Sequence, residues 1–284
     1  MGIPGGVASR GALATLLLGI GSASCATGRA PSPLPPLPIR VMVYNIHAGK
    51  DAAGADNLER VADLIRRTVA DVVLLQEVDR GTRRSAGVDQ PVVLAQLTGL
   101  HVAFGKILAY QGGDYGIAIL SRWPIIAETT VPLKVDPPQE RAGGSYEPRV
   151  ALRAILKTPA GEVTIVNTHL DASREDRWRR QEIANVLAIA DSTRGVLILG
   201  GDFNSTPESD VQQSVRSRGL RDAWPTCARG GGDGGGLTYP ADSSVKRIDY
   251  LFFRERTGCT RAEVIATQAS DHRPLVVDVI VTRP

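Results

Sequence analysis

Residues 195–207 read GVLILGGDFNSTP, an apolar run typical of a buried strand that is followed at once by polar residues. Asp202 and Asn204 stand two positions apart at the tip of that strand. Because successive side chains of a strand point to opposite faces, we expect Asp202 and Asn204 to share one face and Phe203 to enter the core. Thr206-Pro207 has the residue types of an N-cap and a first helical position, so a short helix should follow.

Other predicted strands end in the same way, with residues that bind metals or transfer protons. The stretches are YNIH (44–47), QE (76–77), NTH (167–169), ID (248–249) and SDHRP (270–274). Each residue alone has an ordinary explanation as a turn former, a solvated strand end or a core histidine. Together they predict one cleft, in which clustered carboxylates need a cation or a proton to be stable.

The cluster predicts a hard divalent cation. Its candidate ligands are the side-chain oxygens of Asn45, Glu77 and Asp271, and the sequence offers no cysteine cluster beside them. Such ligands suit Mg²⁺ or Mn²⁺, with Ca²⁺ as a further candidate, better than zinc. Because Mg²⁺ in proteins commonly shares its coordination with a substrate phosphate, the pattern indicates phosphoryl chemistry.

From Ile39 onward the sequence alternates between strand and helix patterns with short connections. The run ADNLERVADLIRRTVA (55–70) predicts a helix with Asp56 as N-cap and Glu59 as its capping-box partner. Polar loops are expected at 135–147 and 230–236, the second one flexible. Runs of adjacent strands favour an α/β four-layer sandwich of two packed mixed β-sheets with helices on both outer faces. A purely parallel doubly wound sheet is the alternative, and 39–284 is predicted to be one domain.

The first residues predict export. Arg10, the apolar run ALATLLLGIGSAS and the small residues before Cys25 have the order of a signal peptide over residues 1–24. Residues 25–38 are Pro-rich and predict an extended spacer. A lipid anchor at Cys25 and plain cleavage beside Ser24 or Ala26 are the two alternatives. The expected location is the bacterial cell envelope or periplasm, membrane-tethered as a lipoprotein, or the medium after secretion.

Two further cysteines stand in the predicted domain. In an oxidising compartment Cys227 and Cys259 could join the region after Trp224 to the region beyond the strand RIDYLFF. Two unpaired thiols are the equal alternative.

Composition sets wide limits on function. The 284 residues are 43% hydrophobic and 22% charged, a globular balance that excludes disorder of the whole chain. The formal net charge of +3 permits phosphate-bearing partners without requiring them. We expect a monomer.

The motifs resemble the endonuclease/exonuclease/phosphatase superfamily, which includes pancreatic-type deoxyribonucleases, AP endonucleases, neutral sphingomyelinases and inositol polyphosphate 5-phosphatases. The resemblance spans about residues 39–282 and rests on YNIH, LLQEVD, YGIAILSRWP, EPRVALRA, NTHLD, GDFNSTP, RIDYLF and SDHRPLVVDV, in that order. It implies a four-layer sandwich and divalent-metal-dependent hydrolysis of a phosphate ester.

The resemblance also implies roles for single residues. Glu77 matches the metal-binding glutamate, with Asn45 and Asp271 beside it. Asp202 and Asn204 match the pair that orients the attacking water and holds the phosphate, or that serves a second metal.

The histidines and one arginine complete the implied site. His272 matches a catalytic histidine oriented by Asp249. His169 stands where AP endonucleases carry tyrosine, so AP-site repair is not expected. Arg149 is the candidate phosphate clamp, with an ion pair to Glu147 as the alternative. His47 has no assigned role, and His101 is expected to be structural.

The predicted function is that of an exported metal-dependent phosphoesterase acting on a phosphodiester, in the manner of a nuclease. A phospholipid-headgroup hydrolase is one alternative, and a non-catalytic envelope binding protein is another. Nucleic acid, phospholipid headgroups and small phosphate esters are the candidate partners. A nuclease needs a basic stripe beside its cleft, for which the candidates are Arg83, Arg84, Arg174, Arg177, Arg179 and Arg180. A solvated helix face is the alternative for the last four.

Overall fold

Twelve strands carry the described part of the chain. In the computed structural model they are β1 Leu37–Asn45, β2 Val72–Arg80, β3 His101–Tyr110, β4 Gly113–Ser121, β5 Ile125–Leu133, β6 Arg149–Thr158, β7 Gly161–His169, β8 Val196–Asp202, β9 Arg221–Asp222, β10 Asp249–Phe253, β11 Thr257–Val264 and β12 Leu275–Val281. The first sheet has the order β11-β12-β1-β2-β4-β3, and the second has the order β5-β6-β7-β8-β10-β9.

Helices connect these strands. They are α1 Leu58–Thr68, α2 Gln90–Thr98, α3 Asp176–Ser192, α4 Asp210–Ser217, α5 Ala223–Cys227 and α6 Asp233–Gly236, with 3₁₀ turns at His47–Gly49 and Arg83–Ser85. Within the described residues, no helix is both long and apolar enough to cross a membrane.

The structure describes residues 1, 2, 5, 8, 36–138, 147–228, 233–254 and 257–282. Nearly all of the predicted signal peptide, Cys25 and most of the Pro-rich spacer lie outside the described residues, as do 139–146 of the predicted polar loop. The described part of the 230–236 stretch is the short helix α6, where a flexible loop was expected. Gly236 lies against Trp224, and a Cβ at Gly236 would come within 2.5 Å of that ring.

Three buried clusters show that the predicted four-layer sandwich is correct. Side chains such as Val43 of β1 and Ile198 of β8 fill the space between the two sheets. Met42 and Tyr44, on the other face of β1, pack with helix α1. On the far side, α3 and α4 cover the second sheet. Strands of both sheets are buried on two faces, which explains their continuous apolar runs.

The structure begins two helices at residues other than those predicted. Helix α1 begins after Asn57, which makes no side-chain cap, since its amide donates to the Ala269 carbonyl at 2.7 Å. Asp56 pairs instead with Lys50. Thr206-Pro207 lies in a turn, and Ser209 is the N-cap of α4, accepting from the Gln212 backbone N–H.

The strand pairing brings the predicted site residues to one edge of the sandwich. Strands β1 and β2 are parallel, and so are β7 and β8, so Asn45 lies opposite Gln76 and His169 lies opposite Asp202. Asp249 begins β10 opposite Asp202 in the antiparallel pair. The ends of the central strands of both sheets therefore meet.

A polar bridge joins the two sheets directly beneath this edge. The register of β2 against β4 shifts between Leu75 and Val78, which marks a bulge. The fully buried amide of Asn167, on the other sheet, donates to the Leu75 and Ala118 carbonyls, both at 2.9 Å. Gln76 Nε2 in turn donates to Asn167 Oδ1 at 2.7 Å. Asn167 therefore satisfies carbonyl groups beside the bulge and ties the sheets together.

We expect Asn167→Ala to lower the free energy of unfolding by about 3 kcal/mol, because it removes the side-chain hydrogen bonds to two buried carbonyls and one of the two bonds that Gln76 Nε2 donates. Urea denaturation measures the effect. Glu162→Ala replaces an exposed side chain on the same strand and should change the free energy of unfolding by less than about 0.5 kcal/mol. Equal free energies of unfolding for the two variants would show that the polar bridge does not stabilise the fold.

Of the two alternatives for the cysteines, the structure has the disulfide. Cys227 at the end of α5 is bonded to Cys259 on β11, with Cα atoms 5.9 Å apart. The bond closes a sequence separation of 32 residues. It therefore fastens α5 to the first sheet.

Candidate active site

A cavity of about 970 Å³ lies at the edge where the strand ends meet. The predicted site residues on its wall are Glu77, Arg149, His169, Asp202, Asn204, Asp271 and His272. Asn45 and Asp249 are buried behind this wall and contact it through hydrogen bonds. The predicted convergence on one cleft is therefore observed.

Asp202 is the central carboxylate of this cavity. It is only 1% exposed and accepts from Asn45 Nδ2 at 3.1 Å and from the Asn204 backbone N–H at 2.9 Å. Its Oδ2 lies 3.6 Å from His169 Nε2 and 3.7 Å from His272 Nε2. Burial, together with the nearby charge of Asp249, raises the pKa of Asp202 to about 7. This carboxylate can therefore take up a proton at neutral pH.

His272 is bonded to Asp249 as the resemblance implied, with 2.9 Å between Nδ1 and Oδ2. Burial lowers the pKa of His272, but the charge and hydrogen bond of Asp249 outweigh it, and Asp202 adds to them, so the pKa rises to about 10. The ring is therefore an imidazolium at neutral pH. Tyr239 packs against it, with 4.8 Å between ring centroids.

Asn204 reaches the cavity for a different reason from the one predicted. Strand β8 ends at Asp202, and Asn204 has a left-handed φ of 47°, so strand alternation does not place it. The turn is held by the Asp202 side chain, while Phe203 is fully buried against Tyr250. Asn204 Nδ2 lies 3.1 Å from both His169 Nε2 and the Leu170 carbonyl. Its Oδ1 remains as an acceptor that suits a water or a cation.

Glu77 enters the cavity at the bulge in β2. Its φ of 54° is unusual for a non-glycine residue, and such strain is commonly found at functional sites. Asn45 Nδ2 donates to Glu77 Oε1 at 3.0 Å, and Asn45 Oδ1 accepts from the His47 backbone N–H. Asn45 thus bridges Glu77 and Asp202, and a direct bond from its oxygen to a cation stays a prediction.

Asp271 lies on the same wall, at the start of the segment leading into β12. The Ser270 hydroxyl donates to the Asn45 carbonyl at 2.7 Å and lies 3.2 Å from Asp271 Oδ1, which links this segment to β1. His47 Nδ1 lies 3.9 Å from Asp271 Oδ1, so His47 faces the edge of the site. His101 is exposed on β3 and is not part of the cavity wall.

The donor set fits a hard divalent cation. The cavity region holds the carboxylates of Glu77, Asp202, Asp249 and Asp271 against the imidazolium of His272. Single ligand atoms of Asp202, Asp249 and His272 lie within 4.8 Å of one another. Because His272 is already bonded to Asp249, we assign these three residues to a hydrogen-bond network. Glu77 and Asp271 are then the carboxylates that would hold the cation.

Arg149 makes the ion pair that was one of its two predicted alternatives, and its role as a phosphate clamp stays a prediction. Its Nη2 lies 2.9 Å from Glu147 Oε1, as in an ion pair. Its Nε and Nη1 are buried and have no hydrogen-bond partner among the described residues, although the side chain lines the cavity. Buried donors without partners are costly in the folded state, so these groups are suited to an anion that enters the cavity.

The candidate basic stripe is smaller than predicted. Arg179 is buried and donates to the carbonyls of Asp171 and Ser173, so it holds the loop after β7. Arg180 pairs with Asp210, and Arg177 lies over the Trp178 ring. Arg174 and Lys246 line the cavity and make no ion pair with any described residue.

Tyr110, Tyr115 and Tyr239 also line the cavity, and they were not expected from the sequence. Tyr115 is buried near Glu77 and Arg149, and burial raises its pKa well above the ordinary value. Their positions depend on contacts between distant segments. The alternation of YGIAILS could have indicated only that Tyr115 shares a face with Ile117.

A four-layer sandwich whose central strands bring carboxylates, amides and imidazoles into one cavity has the architecture of a phosphoesterase fold. The chain belongs to the endonuclease/exonuclease/phosphatase family, whose model matches residues 42–272. The resemblance inferred from the motifs is thereby confirmed.

Solved structures agree with this assignment. An endonuclease/exonuclease/phosphatase from Beutenbergia cavernae is 25% identical, with a TM-score of 0.73 over 86% of this chain and 72% of that one. A mannosyl-6-phosphatase from Bacteroides thetaiotaomicron is 19% identical, with a TM-score of 0.67 over 85% and 99%. The human Nocturnin catalytic domain is 21% identical, with a TM-score of 0.62 over 85% and 94%. The last two likenesses show the fold.

Proposed function

We propose that this protein is an exported, divalent-metal-dependent phosphoesterase that hydrolyses a phosphodiester in the manner of a nuclease. One observation carries the proposal. Glu77 and Asp271, the Asp202 carboxylate, the His272 imidazolium and the buried donors of Arg149 all line one cavity. These groups are an acid, a base, a hard-cation site and an anion site within reach of one substrate.

The residues have complementary tasks in this mechanism. Asp202, with a pKa of about 7, accepts the proton of the attacking water, and a base near the working pH is efficient. His272, held by Asp249, donates hydrogen bonds to the phosphate or a proton to the leaving oxygen. Arg149 binds a non-bridging oxygen. A divalent cation held by Glu77 and Asp271 would neutralise charge on the phosphate.

The surroundings of the cavity support an anionic substrate. Arg174 and Lys246 add positive charge at its wall. Among the exposed large apolar side chains of the described residues, Tyr110 alone lines the cavity, and the others, for example Val69, Ile126 and Val245, lie outside its wall. This distribution does not favour the phospholipid-headgroup alternative.

Export is supported by two independent features. The leader pattern of residues 1–24 is that of a signal peptide. Disulfides such as Cys227–Cys259 persist mainly in oxidising compartments.

The test is a substrate and metal panel on the purified protein. Bis-p-nitrophenyl phosphate, plasmid DNA, sphingomyelin and inositol phosphates are each incubated with Mg²⁺, Mn²⁺, Ca²⁺ or a chelator. We expect cleavage of the phosphodiesters with Mg²⁺ or Mn²⁺ and loss of cleavage with the chelator. Cleavage of sphingomyelin alone would favour the lipid alternative. Absence of hydrolysis with every substrate would favour the binding protein.

The pH profile of kcat/KM should have two limbs. Asp202 works when ionised, so activity should rise with pH through about 7. His272 works when protonated, so activity should fall as pH rises through about 10. Added Mg²⁺ should move the acid limb to lower pH, because a nearby cation favours the ionised carboxylate. Steady-state kinetics at several Mg²⁺ concentrations measure both limbs. An acid limb whose pH does not change with the Mg²⁺ concentration would contradict the assignment of this limb to Asp202.

A further inference from the structure

One wall of the cavity is built from two tyrosines and an arginine, which we call the aromatic wall: Arg84, Tyr110 and Tyr115. The Arg84 guanidinium carbon lies 4.8 Å from the Tyr110 ring centroid and 5.3 Å from that of Tyr115. The two rings are 6.5 Å apart. All three residues line the same cavity as Glu77 and Arg149.

The arginine of this wall is fixed in place by a buried carboxylate. Asp79 is fully buried and accepts from Arg84 Nε at 2.7 Å and from Nη2 at 2.8 Å. The hydroxyls of Thr82 and Ser85 donate to the same carboxylate. A planar, bidentate pair of this kind holds the guanidinium in one orientation and neutralises its charge. Arg84 is therefore poorly suited to bind a phosphate and well suited to present a flat surface.

The side chain of Gln111 fastens the tyrosine to the arginine. Its Oε1 accepts from the Arg84 backbone N–H at 2.9 Å, and its Nε2 donates to the Tyr110 hydroxyl at 3.2 Å. The Arg83 backbone N–H also donates to the Gln111 carbonyl at 3.1 Å. The turn between β3 and β4 is thus bonded to the 3₁₀ turn Arg83–Ser85. The wall is held before any substrate arrives, which reduces the entropy cost of binding.

Part of this wall is open to a ligand. Tyr110 is 37% exposed and lines the cavity, whereas Tyr115 beside it is 8% exposed. Tyrosine rings and guanidinium planes are the surfaces on which planar unsaturated rings stack. Leu108 adds apolar surface to the same side of the cavity. The cavity therefore combines polar side chains that suit a phosphate with two tyrosine rings, tilted by 59° to each other, and a charge-paired guanidinium, on any of which a planar ring could stack.

We propose that the aromatic wall binds the base of a nucleotide unit in the substrate. The inference rests on the proposed function, which it narrows from phosphate esters to phosphate esters that carry a nucleobase. Tyr110 is the specificity-determining residue of this subsite, and Gln111 and Asp79 position the wall.

The test compares two ligands that differ only in the base. Adenosine 5′-monophosphate and ribose 5-phosphate are titrated into the protein with Mg²⁺ by calorimetry, and phosphate release is assayed in parallel. Stacking of one base on an aromatic residue should make the adenosine compound bind about tenfold more tightly. Tyr110→Leu should abolish the ratio of the two affinities, and Tyr110→Phe should keep that ratio. If a dinucleotide binds more tightly than the mononucleotide, the natural substrate is a nucleic acid strand. If the two bind equally, the natural substrate is a free nucleotide.

A matched control uses another pairing of an arginine and an aromatic ring, Arg177 with Trp178. Arg177 lies 4.8 Å from the Trp178 ring centroid, and neither residue belongs to the cavity wall. Trp178→Leu should leave the ratio of affinities unchanged. Equal affinities of the unaltered protein for both ligands, or a ratio that survives Tyr110→Leu, would overturn the inference. A protein that hydrolyses no phosphate ester but keeps the ratio would instead contradict the proposed function, because binding is measured separately from turnover.

Discussion

Replacing His272 by asparagine should lower kcat/KM by on the order of 10²–10³, which is the effect of removing one preorganised donor from a transition state. His272 is 4% exposed, bonded to Asp249 and close to Asp202. Alanine at this position would leave Asp249 buried without a partner and would destabilise the fold. Asparagine keeps an N–H donor for Asp249, so it removes the imidazolium while retaining the bond behind it.

The measurement is kcat/KM with excess Mg²⁺, together with the thermal unfolding midpoint. His101→Asn is the matched control, because it removes an exposed imidazole outside the cavity and should leave kcat/KM unchanged. A folded His272→Asn protein with the activity of the unaltered enzyme would exclude His272 from the mechanism.

Arg149→Met should lower kcat/KM by on the order of 10² and should leave the free energy of unfolding unchanged or raised. The two effects have opposite signs because Nε and Nη1 are buried without partners among the described residues. An apolar side chain of similar length removes that cost. The partner Glu147 is partly exposed and can be solvated when the ion pair is lost.

Kinetics and urea denaturation of Arg149→Met and Arg149→Lys separate the two roles of this residue. Lysine keeps the charge but loses the planar fork, so it should recover only part of the activity. A variant that is strongly destabilised yet fully active would show that the pair with Glu147 is the whole role of Arg149.

The sequence was sufficient to place most of the candidate site at one edge of the sandwich. Apolar runs that end in Asn45, His169 and Asp202 marked the strands and their polar tips. The pairing of those strands with their neighbours brings the tips to one edge. Glu77 shows the limit of this reasoning. The direction of the Glu77 side chain depends on a bulge in β2 and on the positive φ of Glu77. Neither can be predicted from the alternation of side chains along a strand.

Local signals failed where a distant group competes for the same side chain. Asp56 had the type and spacing of an N-cap, but it pairs with Lys50, and the adjacent Asn57 donates to Ala269, 212 residues along the chain. Helix propensity cannot anticipate such a partner.

The aromatic contacts could not be predicted for the same reason. Arg84 meets Tyr110 and Tyr115 only because the β3–β4 turn folds onto the Arg83–Ser85 turn. Tyr239 reaches His272 from a different loop. These contacts arise from packing between segments that carry no shared motif.

The second sheet is formed by one uninterrupted stretch, β5 to β10, and the first sheet is completed from both sides of it in the chain. A break in the connection between β4 and β5 would therefore place Glu77 on one polypeptide and Asp202 with His272 on the other. Neither fragment would have a complete set of reactive groups, and turnover would return only on reunion. The reactive groups therefore share one cavity only when the part of the chain before β5 folds together with the part after it.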